Sequence, residues 1–255
     1  MKNIFFLLCL FVGANSLLAS TIDNVKAREF FENSKQKLSL KNVCLDLDLE
    51  ILDKKGNIKS KSLSVAFGEF NQEKKVMIEI TAPDEVKGTK ILTTNYLDKK
   101  GIIEIYMPAT GKIQKFRANN RNLKLMGSEI PITQFSSIVE SDYSFSLLGN
   151  TNLNGISCHK IKVLKPDEDE YAIAFVSVKE EYLLRVEKYD SKDQLQSLTE
   201  LSDYMKVNNS NGKFYPKLIR VSNSKSGKSS KMKVRSLEYV QKMNDADFQI
   251  ISNKS

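Results

Sequence analysis

Residues that commonly serve in catalysis are sparse in this chain. His159 is the only histidine, and it stands between Cys158 and Lys160 on a predicted strand. Successive strand residues point to opposite faces, so Cys158 and His159 do not form a neighbouring nucleophile and base. No G-x-S-x-G turn is present for a serine nucleophile. The sequence therefore predicts no catalytic residue, and His159 is interpreted as structural.

Metal- and phosphate-binding patterns are also incomplete. The chain has neither H-E-x-x-H nor paired C-x-x-C, so a zinc ligand set is lacking. SNSKSGKSS at 222–230 ends like a phosphate-binding loop, but Ser222 replaces its first glycine and the loop joins two strands. The consecutive carboxylates of PDEDEY at 166–171 cannot all converge on one calcium ion. We expect hairpin turns at both places, with no metal and no cofactor.

The first twenty residues have the pattern of a secretory signal peptide. Lys2 precedes an apolar run from Ile4 to Val12, followed by small residues up to Ser20. We predict cleavage near Ala19 or Ser20 and a periplasmic mature chain. Without Lys2 the balance is 38 basic against 31 acidic residues, a net charge of +7. This surplus favours anionic partners such as lipid headgroups, and an exported protein is not expected to bind nucleic acid.

Two cysteines remain in the predicted mature chain, Cys44 and Cys158. Two cysteines in a chain of this length do not make a disulfide framework. Both lie on predicted polar strand faces. A single bridge and two free thiols are both open, and free thiols are favoured.

Alternation of apolar and polar residues dominates the rest of the sequence. A helix is predicted from Thr21 or Asp23 to about Leu38, and VCLDLDLEI at 43–51 then alternates strictly, which is typical of a strand. Another short helix is predicted at 132–139 and a helical turn after Asp245. The other predicted strands are 63–67, 76–80, 90–95, 102–107, 113–117, 143–148, 156–164, 171–178, 183–189, 195–205, 214–221 and 231–239.

These elements predict a mainly β fold with one domain over residues 21–255. A sheet of about a dozen antiparallel strands must curl, split or close. Two short helices cannot cover it as in an α/β protein. Two arrangements remain: a sandwich of two sheets, or a single curved sheet wrapped around a helix with a partly open apolar interior.

Residues 119–139 form a long connection that does not fit a hairpin turn. Long loops in compact domains are often functional. We interpret this one as a mobile flap over the mouth of a cavity, in which basic residues attract an anionic headgroup. Ligand-binding candidates in the cavity wall and flap are Leu45, Leu47, Leu49, Val65, Phe67, Ile78, Ile80, Leu125, Met126 and Ile130. Candidates for headgroup or partner contact are Lys112, Lys115, Arg117, Arg121 and Lys124.

An ordered set of segments resembles a known family. APDEVKGTKILT (82–93), IYMPATGKIQKF (105–116) and LMGSEIPITQF (125–135) are followed by LLGNTNLNGISCHKIKV (147–163), RVEKYD (185–190) and DADFQI (245–250). Together they are similar to the bacterial outer-membrane lipoprotein-sorting proteins, relatives of the periplasmic carrier LolA. The chain lacks the tryptophans that members often carry.

This resemblance implies a half-open β-barrel, a strongly curved antiparallel sheet with helices on its concave apolar side. It also implies a carrier that takes acyl chains of lipoproteins or lipids between an inner-membrane exporter and an outer-membrane acceptor with peripheral membrane contact. We expect the protein to be a monomer. A scaffolding or sensing module of the same fold, which holds a protein partner without transferring lipid, is the alternative. A lipid-modifying enzyme is a third and less favoured hypothesis.

Overall fold

A computed structural model describes residues 13–71, 73–96, 99, 101–118, 123–132, 143–165, 169–210 and 212–250, with side chains from residue 23 onward. The described chain contains one α-helix, α1 (Gly13–Leu38), and thirteen strands. The strands are β1 (Val43–Leu52), β2 (Ile58–Phe70), β3 (Glu73–Ala82), β4 (Lys90–Tyr96), β5 (Ile102–Met107), β6 (Lys112–Arg117), β7 (Ser144–Leu153), β8 (Ile156–Leu164), β9 (Tyr171–Ser177), β10 (Leu183–Tyr189), β11 (Leu195–Lys206), β12 (Phe214–Asn223) and β13 (Lys228–Tyr239).

All thirteen strands belong to one antiparallel sheet. Their order is β6-β5-β4-β3-β2-β1-β13-β12-β11-β10-β9-β8-β7, so neighbouring strands are consecutive in sequence except where β1 pairs with β13. Within the described residues no ladder joins β6 to β7, and the sheet has two edges. The predicted single curved sheet is confirmed, and the sandwich of two sheets is wrong.

Along the strands, buried apolar residues alternate with half-buried or exposed residues, so the two faces of the sheet differ. On β1 the residues Val43, Leu45, Leu47, Leu49 and Ile51 are all buried, and the residues between them are half-buried or exposed. Register continues the same apolar rows into β2 and β13. We call the face that contains this main hydrophobic core the inner face, and the opposite one the outer face.

Helix α1 packs on the inner face against β7–β10 and β12. Ala27 and Ser34 are fully buried, and Phe30, Phe31 and Leu38 pack against the core at the same helical spacing. Polar contacts also hold the helix, for the Arg28 guanidinium donates to the Tyr143 carbonyl at 2.7 Å. Apolar spacing thus positions the helix, and the Arg28 contact ties it to the residue that precedes β7.

The helix differs from its prediction at one end. Its described part already includes Gly13, upstream of the predicted start at Thr21 or Asp23, whereas its end at Leu38 agrees with the prediction. No glycine or proline interrupts the sequence between Gly13 and Leu38, so nothing local stops the helix at the predicted cap. Most of the second predicted helix, at 132–139, lies outside the described residues. No helix in the described part of the chain combines the length and apolarity needed to cross a membrane.

A second, smaller hydrophobic cluster lies on the outer face. Cys158, Ile173 and Phe175 are buried there, with Tyr171 and Tyr189 stacked beside them at 5.2 Å between ring centroids. Cys158 lies on the outer face, as its alternation with Lys160 and Lys162 predicts, but it is fully buried because apolar and aromatic side chains of the neighbouring strands pack around it. Cys44 and Cys158 are both free thiols.

The predicted helical turn near the end of the chain is present as a 3-10 turn at Asp245–Asp247. It places Phe248 against Phe70, with 5.1 Å between the ring centroids, and Asp245 accepts from Lys75 at 2.7 Å. A Cβ on Gly68 would lie 2.8 Å from the Phe248 ring, so a glycine is needed for this close approach.

Because His159 packs against α1, the stability of that packing depends on pH. Its ring stacks on Phe30 with centroids 3.9 Å apart, and its Nδ1 is 2.8 Å from Asn150 Oδ1. Burial lowers the pKa of His159 below its usual value, and the Glu181 carboxylate opposes this in part. Since the folded-state pKa is depressed, His159 stabilises the fold above about pH 6.5, and this contribution is lost as the pH falls through the folded-state pKa.

We therefore expect His159→Phe to lose less stability than the wild type between pH 7 and pH 5. Phenylalanine keeps the stacked ring but takes up no proton. Urea denaturation of both proteins at the two pH values measures the difference. Equal losses of unfolding free energy in the two proteins would contradict the role of His159.

Candidate functional site

The predicted cavity wall is a continuous apolar surface on the inner face. Its members on β1–β3 are cross-strand neighbours, with Leu45 opposite Val65, and Val65 opposite Ile78. The exposed fraction is 0–1% for all of them except Phe67, at 7%. In this structure the wall is covered, and any ligand would have to displace what covers it. The seven residues are Leu45, Leu47, Leu49, Val65, Phe67, Ile78 and Ile80.

Residues 123–132, which we call the plug segment, also belong to the main core. Leu125 and Ile130 are fully buried, and Met126 packs partly buried against the same cluster. The segment folds back on itself, since the Leu125 amide donates to the Ile130 carbonyl at 2.8 Å. Met126 and Gly127 turn the chain with positive φ values of 47° and 78°. The sequence predicted a flap here, and its described part packs against the inner side of the sheet.

Polar groups fix the plug segment at one point of the wall. The Glu129 amide donates to the Ser230 hydroxyl at 2.8 Å, and both residues are buried. Ser230 lies on β13 opposite Ile51, at the end of the apolar rows. The Glu129 carboxylate is 6% exposed and forms an ion pair with the Lys124 ammonium. This ion pair lies within the segment, and apolar packing of Leu125 and Ile130 adds to the Ser230 contact.

A basic cleft of about 590 Å³ opens beside the tip of the plug segment. Lys59 and Lys61 continue the inner-face row of β2 beyond Leu63, as their pairing with Ile51 and Leu49 shows. The apolar wall thus ends in positive charge at the rim. The cleft is lined by Ile51, Asp53, Lys54, Lys55, Asn57, Lys59, Lys61, Met126, Gly127, Ser226 and Lys228.

The sequence did not predict that five lysines of the cleft form a site. They are Lys54, Lys55, Lys59, Lys61 and Lys228. Residues 53–57 were interpreted only as a turn, although K-K-G-N-I-K-S-K at 54–61 contains four lysines, two of them two residues apart on one face of a strand. Lys228 joins them only through the β1–β13 pairing, which connects strands almost two hundred residues apart and has no local signal in the sequence.

The predicted headgroup residues are not brought together. Lys112, Lys115 and Arg117 lie on the exposed edge strand β6, and the Lys115 ammonium is 2.8 Å from the Glu104 carboxylate. Lys124 is bound to Glu129 in the plug segment. Arg121 lies outside the described residues. Of this group, only Lys124 lies in the segment that flanks the basic cleft.

Clusters with reactive chemistry do not appear in the part of the chain that the structure describes. No group of three or more His, Cys, Asp or Glu side chains is arranged there to hold a metal ion. Burial raises the pKa of both the Cys44 and the Cys158 thiols, which disfavours the reactive thiolate. The best-supported candidate site is therefore the apolar wall, the plug segment packed in the same core and the basic rim.

A family model described as "Uncharacterized protein" matches residues 72–250. A search of curated proteins gave no significant match.

Three solved structures have the same fold. A DUF1329 family protein from Desulfovibrio piger has a TM-score of 0.78 at 18% identity, covering 89% of this chain and 97% of its own. A candidate outer membrane lipoprotein-sorting protein domain from Vibrio parahaemolyticus has a TM-score of 0.77 at 18% identity, with 88% and 97% covered. A LolA superfamily protein from Nitrosomonas europaea has a TM-score of 0.66 at 14% identity, also with 88% and 97% covered.

Proposed function

Because this chain belongs to the family of uncharacterized proteins whose model matches residues 72–250 and has the LolA-like fold, we propose that it is a periplasmic carrier of acyl chains. It binds the chains of lipoproteins or lipids against the apolar wall of the inner face. It moves them between an inner-membrane exporter and an outer-membrane acceptor, and it touches the membrane surface only peripherally.

The observation that supports this proposal best is the covered but unclosed apolar wall. Large side chains of β1–β3 are buried in the same core cluster as Leu125 and Ile130 of the plug segment. The Glu129–Ser230 hydrogen bond anchors that segment to β13. A sheet with free edges can widen, and a short segment can be displaced without breaking a strand ladder. An acyl chain would take the place of the plug segment and keep the wall out of water.

Energetics explain why a displaceable cover suits a carrier. Each buried methylene contributes about 0.8 kcal/mol, so a sixteen-carbon chain resists entering water by roughly 12 kcal/mol. A carrier must offset this cost while crossing an aqueous space, yet must release the chain to an acceptor. Since the plug segment competes with the cargo for the same wall, it lowers the net affinity and permits release.

The basic rim completes the proposal. An acylated cargo carries a polar or anionic group at one end of its chain, and the lysine cleft lies where the apolar rows end. Lys59 and Lys61 would then face headgroups while Leu63 and Val65 face the chain. The predicted wall and plug residues keep their proposed roles as acyl contacts, with Lys124 beside them.

A direct test is the chemistry of the bound material. Protein purified from the periplasm without detergent is expected to contain co-purified acyl lipid or lipopeptide, detected by mass spectrometry. It is also expected to take up the apolar dye 1-N-phenylnaphthylamine and to release it on addition of a fatty acid. Failure to take up any amphiphile would overturn the proposal.

The complete burial of the wall favours one alternative, a scaffolding or sensing module that keeps its interior filled and binds a protein partner. That function requires a tight core and no lipid uptake. The dye experiment separates the two, because only the carrier exchanges its plug segment for an amphiphile.

Reversing charge in the basic cleft provides a second test. We expect Lys55→Glu, Lys59→Glu and Lys61→Glu together to weaken binding to vesicles that contain phosphatidylglycerol by at least tenfold, since each lysine near an anionic surface contributes about 1 kcal/mol. Co-sedimentation with such vesicles measures the loss. The matched control reverses Lys217, Lys233 and Lys242, three exposed lysines outside the cleft. Equal losses in both triple variants would mean that net charge alone attracts the protein.

A further inference from the structure

Two buried polar side chains on β4 have no hydrogen-bond partner among the described residues. Thr93 is fully buried and Asn95 is 9% exposed. The Thr93 hydroxyl and both the oxygen and the nitrogen of the Asn95 side-chain amide are unbonded. The residues are two apart on one strand, so both side chains project from the same face.

That face is the inner one. Thr93 lies between Val76 of β3 and Ile103 of β5, which both belong to the main core. Gly101 lies against Asn95, because a Cβ there would be 3.0 Å from the Asn95 Oδ1. The two polar side chains therefore stand in an apolar wall, and the neighbouring glycine leaves the Asn95 amide free of side-chain crowding from that position.

Unbonded polar atoms at such a place require an explanation. Buried polar groups in folded proteins are nearly always hydrogen-bonded, and an unsatisfied one destabilises the fold. Valine and leucine would have similar shapes at these positions without that penalty. The polar atoms of Thr93 and Asn95 therefore do not stabilise the described structure, and they are available to bond a ligand that binds at the apolar wall.

The donor and acceptor pattern identifies the class of ligand. The Asn95 side chain offers N–H donors and a carbonyl acceptor, and the Thr93 hydroxyl can do either. A secondary amide presents one N–H and one carbonyl, so it can satisfy groups of both kinds. An ester only accepts, and an alkyl chain does neither. Because the two side chains lie in an apolar wall, the ligand's amide must also be attached to an apolar chain.

We propose that Thr93 and Asn95 form a recognition site for the amide linkage of an N-acylated cargo. This inference rests on the proposed acyl-carrier function and specifies the chemistry of its cargo. When the cargo replaces the cover of the inner face, its acyl chain lies along the apolar rows and its amide bonds to the two side chains. The same unsatisfied atoms make the empty, covered state less stable, which favours exchange for cargo.

The test compares two ligands that differ in one atom. N-lauroylglycine methyl ester contains a secondary amide, and methyl O-lauroylglycolate replaces that N–H by an ester oxygen. Each is titrated against bound 1-N-phenylnaphthylamine, with wild type and with the Thr93→Val/Asn95→Leu variant. We expect the wild type to bind the amide about tenfold more tightly than the ester, and the variant to bind both within about twofold of each other.

Three results would overturn the inference in different ways. Equal affinities of the wild type for amide and ester would remove amide recognition while leaving the acyl-carrier function intact. Failure of both ligands to displace the dye would remove the function itself. A clear loss of unfolding free energy in Thr93→Val, which keeps the shape of the side chain, would show that the hydroxyl supports the fold instead.

Two further ligands distinguish the source of the amide. An N-lauroyl peptide represents a lipoprotein, and an N-lauroyl aminosugar represents a glycolipid. Displacement of the dye by either one, with the same dependence on Thr93 and Asn95, supports the shared amide chemistry. Displacement by both ligands that does not change in the variant counts against it.

Discussion

Replacing Ile130 with alanine is expected to lower the free energy of unfolding by about 2–4 kcal/mol and to raise the affinity for an apolar dye by about tenfold. Ile130 is fully buried in the plug segment and packs against the main core. Truncation removes apolar contacts that hold the segment down, so opening the inner face costs less. Urea denaturation and 1-N-phenylnaphthylamine titration measure the two effects.

Ile130→Ala is expected to lose stability but to gain dye affinity, and this combination distinguishes release of the plug segment from a general loosening of the fold. Ile173→Ala removes the same atoms from the cluster on the outer face, where the residue is 6% exposed. We expect that control to lose comparable stability with no gain in dye affinity. If Ile130→Ala also leaves the affinity unchanged, the plug segment does not control access to the wall.

The second large effect concerns the ion pair within the plug segment. Lys124→Met is expected to reduce the free energy of unfolding by about 2 kcal/mol, because it leaves the Glu129 carboxylate without its cation. Glu129 is 6% exposed, while 37% of the Lys124 side chain is exposed. Water can therefore replace part of the lost interaction, so the cost is lower than for a fully buried pair. Denaturant unfolding at neutral pH measures it.

A double variant separates the unpaired charge from the loss of packing. Lys124→Met/Glu129→Leu contains no buried carboxylate, and we expect it to recover to within about 1 kcal/mol of the wild type. Recovery would show that the unpaired Glu129 charge, and not lost packing, causes the loss of unfolding free energy in Lys124→Met. A double variant that is as unstable as Lys124→Met would instead mean that the backbone and packing of the segment depend on both side chains.

The strands of the sheet could be predicted from the sequence because the alternation of apolar and polar residues is a local pattern that repeats in each strand. Alternation in residues 43–51 predicted β1 to within one residue, and the bounds of β5, β8 and β10 agree with their predictions. Each strand is buried on one face, so its hydrophobic pattern carries the information. The curved single sheet was reached with the help of the family resemblance, which limited the alternatives.

The site was less predictable because it depends on contacts distant in sequence. The plug segment has no regular period, and its docking needs Ser230, about a hundred residues away along the chain. The basic cleft combines the β1–β2 turn with the start of β13. The unbonded atoms of Thr93 and Asn95 were equally invisible, since T-T-N within β4 resembles any half-buried strand until its neighbours are known.

Within the described residues the sheet ends in two edge strands, β6 and β7, and these affect how the molecule behaves among its own copies. An unpaired strand is a template on which a second chain can add, and repeated addition produces fibres. Here β6 displays Lys112, Lys115 and Arg117, so two such strands brought side by side would repel each other. On β7 a register shift between Leu147 and Asn150 interrupts the straight line of backbone groups. The charges on β6 and the irregularity on β7 thus oppose edge-to-edge polymerisation of the sheet.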